Sequence, residues 1–296
     1  MDNVIRTITS DGAIMAAAID SSDIVFTAQQ VHKLSPSATA ALGRLLTGAS
    51  LMGISLKQDK ATINLRVMGD GPIGTLLAVS DSKGNVRGYV GNNDCPTEYY
   101  NNGKINVAAA VGKDGTLNVI RDYGAGDPYV GQVPLVSGEI AEDITSYYAT
   151  SEQIPTACAL GVLLDKEDKK VLLAGGLLIQ LLPGADESTI EKLEKNLEKL
   201  EPMTTMLAKG MDILEICKTA LDGFEVEVLD ETPVNYVCTC SRSKIEGYLA
   251  GLSDEDIRYC ANDLGYAEVN CQFCNKSYRF TKEDLENIIK NKSEKN

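Results

Sequence analysis

The chain of 296 residues has one histidine, no tryptophan and an aromatic content of only 5%. A nucleophile–histidine–acid site would have to be built on His32, and no partners for it can be identified in the sequence. A lone histidine of this kind is expected to be structural or exposed, and no enzymatic activity is expected. Positive charge is also scarce. Lys and Arg number 28 against 42 Asp and Glu, a formal net charge of −14, which argues against nucleic acid as the main partner. Long apolar runs are missing as well. VLLAGGLLIQLL (171–182) is too short to span a bilayer and contains glycines and Gln180. The opening MDNVIRTITSDG has neither the basic region nor the apolar run of a secretory signal. The expectation is a cytoplasmic protein with no membrane partner.

Cysteine, by contrast, is plentiful: the chain has eight. In a reducing compartment this suggests metal ligation or redox chemistry more than structural disulfides. Four of the eight form two tight couples near the end, in VCTC (237–240) and NCQFC (270–274). Cys238, Cys240, Cys271 and Cys274 fit a four-thiolate zinc site, with one ion per chain. Each couple can grip the metal from one tight turn, while the spacer forms the body of a module. Four thiolates would complete a tetrahedron with no position left for substrate. The site is therefore expected to be structural or regulatory, not hydrolytic. A single residue between the first two cysteines is less usual for a plain zinc ribbon. Cys158, Cys217 and Cys260 lie in apolar patterns and read as packed thiols; Cys95, in NNDCPTEYY, reads as exposed.

Charge divides the chain into three. Residues 1–183 hold 14 basic and 19 acidic side chains, residues 184–237 hold 5 and 13, and residues 238–296 hold 9 and 10. More than half of the net charge thus lies in a short middle segment. The expected parts are an N-terminal α+β core domain (1–183), an acidic helical linker that folds conditionally (184–230), and a C-terminal four-cysteine zinc module (231–296).

In the first part, hairpins are expected to turn at Asp81–Asn85, Gly112–Gly115 and Asp165–Lys170. One helix opens at Ser35 and another follows Ser137. This mixture predicts an α+β fold with antiparallel sheet. In the middle part, Ser188 and Glu191 have capping-box spacing, Pro202 breaks the helix, and a second helix runs from Met206 to Leu221. FEVEVL opens the third part as a strand. Helices capped near Ser243 and Ser253 follow, then a hairpin around the second cysteine couple and a last helix from Thr281.

From Glu231 onward only 66 residues remain, near the lower limit for a self-sufficient core. Structural zinc contributes roughly 10–16 kcal/mol in small zinc peptides, against a net stability of about 5–15 kcal/mol for a whole domain. Loss of the metal is therefore expected to unfold the module. Oxidation removes ligands, because a disulfide sulfur is no longer a thiolate.

Rival readings are weaker. GDGPIG (69–74) fits a dinucleotide fingerprint in letters, but the following TLLAVSD reads as strand where a helix is required. CQFC would suit a thiol oxidoreductase only in a βαβ context. Residues 238–282 carry six basic and six acidic side chains, so a basic nucleic-acid stripe is not evident.

The couple Cys-x-Cys, thirty residues and Cys-x-x-Cys stand together with GDGPIG, VRGYV, SEQIPT (151–156) and GGLLIQLLPGA (175–185). Over the whole chain this combination resembles the redox-regulated 33-kDa chaperonin family. The resemblance implies an ATP-independent holdase for unfolding proteins under oxidative stress, inactive when reduced and zinc-bound. It implies disulfides Cys238–Cys240 and Cys271–Cys274 on oxidation, zinc release, unfolding of the end module and linker, and a homodimer when active. A zinc-bearing binding module without chaperone activity is the alternative.

Overall fold

Apolar residues at every second position dictate strands with one or two buried faces, and two antiparallel five-stranded sheets result. The structure is a computed structural model that describes residues 2–293. It divides into two compact units, one ending at Val237 and the other beginning at Cys238.

The first unit begins with β1 (Asn3–Thr9), β2 (Ile14–Asp20), α1 (Ser22–His32) and α2 (Pro36–Gly53). Next come β3 (Thr62–Gly69), β4 (Thr75–Asp81), β5 (Val86–Val90), α3 (Val107–Val111), β6 (Gly115–Asp122) and β7 (Tyr129–Pro134). It continues with α4 (Ala141–Tyr147), a π-helical turn (Tyr148–Glu152), β8 (Thr156–Leu164) and β9 (Val171–Leu181). It closes with α5 (Glu187–Leu197), α6 (Met203–Ala208), α7 (Ile213–Ala220) and β10 (Val226–Pro233). The sheets are ordered β10-β1-β2-β9-β8 and β5-β4-β3-β6-β7. This is the expected α+β class.

The main core is built around α2. Sixteen of its 18 residues are buried, the pattern of a helix covered on all sides. Ser35 caps it and Pro36 opens it, as expected. Close packing leaves no room for side chains at two of its glycines. A Cβ on Gly43 would lie 2.6 Å from Val25 Cγ1, and one on Gly48 2.5 Å from Ile144 Cδ1.

The first sheet is apolar on both faces. Val4, Ala17, Ile19 and Leu178 join the main core. Their neighbours Ile5, Ile14, Ala16, Ala18, Leu177 and Ile179 face the other way, into a second cluster. The acidic helices supply the other half of that cluster through Leu193, Met203, Met206, Ile213, Ile216 and Leu221. Their caps differ from expectation. Asp186, not Ser188, caps α5, accepting from Thr189 N at 2.7 Å, because Asp186 is already extended. The single helix expected over Met206–Leu221 is two, since Gly210 turns at φ 81° and Asp212 with Glu215 starts a new capping box.

FEVEVL does form a strand, and its partner is β1. An open edge on β1 draws it into the first sheet, where the Arg6 guanidinium pairs with the Asp230 carboxylate. β10 thereby spans the 230/231 position expected as a boundary. The chain then runs along β5, with Val86 N donating to Asn235 O at 2.9 Å and Val237 N to Val86 O at 2.8 Å.

Two other local expectations are revised. Residues 107–111 form α3 rather than a hairpin arm, because Asn106 caps an alanine-rich turn, accepting from Ala109 N at 3.0 Å. The helix after Ser137 starts only at Ala141. Ile140 sits at φ 74° in a γ-turn, with Ala141 N donating to Glu139 O at 3.0 Å. Buried Asp143 holds this turn by accepting from Val136 N at 2.8 Å and Ile140 N at 2.9 Å. Glu139 pairs with Arg44 and accepts from Tyr100 Oη at 2.7 Å and Ala108 N at 3.0 Å. GDGPIG is a turn between strands, as expected; Asp70 Oδ1 accepts from Lys113 N at 3.0 Å and Asp114 N at 3.2 Å.

The second unit contains α8 (Arg242–Ala250), α9 (Asp254–Tyr259), a π-helical turn (Cys260–Leu264), β11 (Tyr266–Asn270), β12 (Ser277–Thr281) and α10 (Lys282–Ser293). Ser241, two residues before the expected Ser243, caps the first helix by accepting from Lys244 N, and Ser253 caps the second as expected. The core among the described residues is small: Ile245, Ile257, Ala261, Phe280, Leu285 and Ile288 are buried. Tyr248, Leu252, Tyr259, Leu264 and Tyr266 are exposed.

Two predictions follow from the first unit. Leu46→Ala in α2, at a site with 0% exposure, should cost about 2–5 kcal/mol, read as a lowered urea midpoint. The second concerns Glu139. Burial works to raise its pKa, but the Arg44 guanidinium, with Tyr100 and Ala108 N, outweighs it and holds the carboxyl below its ordinary value. A depressed carboxylate contributes stability above its unfolded pKa and loses it as pH falls through the folded one. Glu139→Gln should therefore be less stable than wild type at neutral pH. The difference should shrink below the ordinary carboxylate range, measured by urea titrations across pH.

Candidate metal centre

Two short pieces of chain bring the cysteines of the second unit together. Cys238 and Cys240 lie in the extended segment that leads into α8. Lys244, in the first turn of that helix, reaches back so that its Nζ donates to Thr239 O at 2.8 Å, which anchors the residue between them. Cys271 and Cys274 form the connection between β11 and β12. The register runs from Tyr266 opposite Thr281 to Asn270 opposite Ser277, which leaves residues 271–276 to close the hairpin. Cys271 N donates to Lys276 O at 2.9 Å, and Asn275 N to Cys271 O at 2.8 Å. Asn275 takes φ 56°, a left-handed position that asparagine tolerates.

The four sulfur atoms all lie within 4.8 Å of one another. Cys238 Sγ is 3.6 Å from Cys271 Sγ, and Cys240 Sγ is 3.4 Å from Cys274 Sγ. A tetrahedral ion with metal–sulfur bonds of about 2.3 Å requires sulfur–sulfur edges of about 3.8 Å. Four cysteines at these separations can hold a metal ion.

Three of the sulfurs differ in acidity. Burial pushes the Cys238 thiol up and the Cys274 thiol to about 12. Cys240 goes the other way. Against the upward push of burial, hydrogen bonds from Tyr278 and the neighbouring thiols bring it to about 7. Tyr278 Oη lies 3.0 Å from Cys240 Sγ, and this bond pushes the phenol up to about 12. Four sulfurs so close resist becoming thiolates together unless a cation compensates their charge.

The remaining cysteines stand outside the cluster. Cys217 is on the buried face of α7, and Cys158 packs against the main core; burial pushes both thiols up to about 12. Cys260 packs beside the small core. Cys95 corrects the sequence reading. It is buried, with Ser35 Oγ donating to its carbonyl at 2.9 Å, because the loop it opens folds back over the start of α2. Burial pushes its thiol up, so it is not a reactive surface thiol. His32 is buried, its Nε2 3.1 Å from Tyr236 Oη, a structural contact. Tyr278 and Lys244 escaped the sequence reading. Only the position of Tyr278, four residues past Cys274 on a strand leaving the knuckle, could have pointed to it. Among the described residues, no helix is long and apolar enough to cross a membrane.

Comparison with known proteins bears on the whole chain. The profile of the Hsp33 protein family matches residues 2–281. The 33 kDa chaperonin of Clostridioides difficile (strain 630) is 46% identical over 289 residues, covering 98% of this chain and 99% of its own. The 33 kDa chaperonin of Acetivibrio thermocellus is 45% identical, covering 98% and 97%. The crystal structure of the 33 kDa chaperonin (heat shock protein 33 homolog) of Thermotoga maritima superposes with a TM-score of 0.90 at 34% identity, covering 99% of each chain. With fold, cysteine cluster and sequence in agreement over nearly its full length, the chain belongs to the Hsp33 family of 33 kDa chaperonins.

Proposed function

We propose that the chain is an ATP-independent holdase that oxidation switches on. In the reduced, inactive form, Cys238, Cys240, Cys271 and Cys274 hold one zinc ion. The observation that carries this reading is four sulfurs within 4.8 Å in a unit with so small a core. A zinc ion bound there supplies the positive charge that lets four thiolates coexist, and it ties the start of the unit to its hairpin.

The residues of the chain do the rest. Cys238 with Cys240, and Cys271 with Cys274, each give two electrons to peroxide or hypochlorous acid. With peroxide, two thiolates, two protons and one peroxide give one disulfide and two waters. A disulfide sulfur no longer ligates, and the second unit loses its main support. In this reading residues 231–296 act as the switch and residues 184–230 as a conditionally folded cover on the core domain, 1–183. Release of α5–α7 would uncover Ile5, Ile14, Leu177 and Ile179 on the first sheet, an apolar surface for unfolding client proteins. The methionines among the covering residues form an adaptable apolar face of the same kind. The active form is a homodimer, the compartment is the cytoplasm, and there is no catalytic turnover, membrane or nucleic-acid partner.

The reduced protein should carry one zinc per chain and leave a thermally unfolding client to aggregate. Peroxide with mild heat, or hypochlorous acid, should release zinc to a metallochromic indicator and switch aggregation suppression on. Peptide mapping should then find Cys238–Cys240 and Cys271–Cys274. Zinc loss without suppression would leave a zinc-bearing binding module and refute the holdase reading. A Cys238–Cys271 bridge would refute the pairing.

A further inference from the structure

We infer that Tyr278 is a positioning residue for the redox step: its hydroxyl donates a hydrogen bond to Cys240 Sγ and restrains that sulfur's attack on oxidants. This rests on the metal-holding, oxidation-driven reading above.

The geometry is specific. Tyr278 lies on β12 opposite Val269, in the strand that leaves the Cys271–Cys274 knuckle. Its ring packs against the small core of the second unit. From there the hydroxyl crosses to the other couple, with Oη 3.0 Å from Cys240 Sγ. A coordinated sulfur is a thiolate and can only accept, so the tyrosine donates. The contact falls on one of the four sulfurs and makes them inequivalent. Outer hydrogen bonds of this kind tune metal ligands.

Oxidation requires the sulfur lone pair. Attack of Cys240 Sγ on a peroxide oxygen breaks the O–O bond and moves two electrons from sulfur to oxygen. It leaves a sulfenic acid, and the displaced hydroxide takes a proton to become water. The Cys238 thiolate then attacks the sulfenic sulfur, the S–S bond forms as the S–O bond breaks, and the displaced hydroxide takes a second proton to become water. A donor on Cys240 draws electron density from the lone pair that begins this sequence. A hydrogen bond to an ionised acceptor is worth about one to two powers of ten in equilibrium. Thiolate nucleophilicity follows basicity with a slope of roughly 0.4–0.5. The restraint on rate is therefore roughly threefold to tenfold.

The test uses the full-length, zinc-loaded protein and Tyr278→Phe, which keeps the ring and removes the donor. Iodoacetamide labelling is followed at each cysteine by peptide mass spectrometry, and zinc release by peroxide is followed with an indicator. The expected result is zinc retained without oxidant, an unchanged thermal midpoint, and Cys240 labelled roughly threefold to tenfold faster than in wild type, with Cys238, Cys271 and Cys274 little altered. Peroxide should release zinc faster to match. Incorporation of 3-fluorotyrosine at position 278, a stronger donor, should slow Cys240 labelling. A Cys240 rate unchanged by both replacements overturns the proposal, as does equal acceleration of all four cysteines, which marks mere loosening. If the wild type holds no zinc, the metal reading falls, and the Cys240 comparison is then made in the metal-free protein at a pH high enough to ionise Cys240 in both proteins, where the rate again reports the hydrogen bond alone.

Discussion

Four sulfur atoms packed within 4.8 Å impose the constraint on which the second unit depends. As thiols they are weak hydrogen-bonding groups; as thiolates they repel. A compensating cation would turn that repulsion into a crosslink between residues 238–240 and the β11–β12 hairpin. The six buried apolar residues nearby, with Arg242 stacked over Phe280 at 4.3 Å, make a core far smaller than independent domains use. A unit of this size is expected to need a staple, and sulfur is the ligand at hand.

The first unit rests on different physics. A nearly all-buried α2 and two sheets build a large apolar core of their own. Its unusual feature is a sheet apolar on both faces, one of them covered by a strongly acidic helical segment. That cover is held on the sheet by apolar contacts and by polar ties such as Ser10 N donating to Glu225 O at 2.9 Å, while Asn196 Nδ2 to Asp222 O at 2.9 Å and the Lys192 ammonium 4.2 Å from the Phe224 ring join parts of the cover to one another. Short helices of this kind are marginal when separated from the surface they cover. In the proposed function, oxidation of the second unit couples to release of this cover. β10 and residues 234–237 pair with β1 and β5 at the far end of the same segment, so the cover is tied at both ends.

Much of this was legible in the sequence, and the limits have physical causes. Cysteine spacing identified the four sulfurs that the fold brings together, because close couples across a spacer have few other uses. Period-two alternation and turn residues marked most strands, and Ser35-Pro36 marked α2. Helix starts in the acidic segment were misplaced because Asp186 and Ser188 can both cap, and only backbone conformation decides between them. The late start of α4 rests on Asp143 gripping four backbone N–H groups of residues 136–140, a tertiary arrangement without a local signature. Cys95 read as exposed because NNDCPTEYY is polar, and only the fold shows the loop closing over α2. FEVEVL was legible as a strand, but its partner, at the other end of the chain, was not.

The central claim is that the second unit is held together by a metal ion in its sulfur cage. Hydrogen exchange on the reduced protein, before and after a zinc chelator, tests it most directly. The account predicts that amides of β11, β12 and α10 lose their protection on chelation while those of β3 and β6 keep theirs. Unchanged protection across residues 238–293, with the metal demonstrably gone and the thiols still reduced, would contradict it.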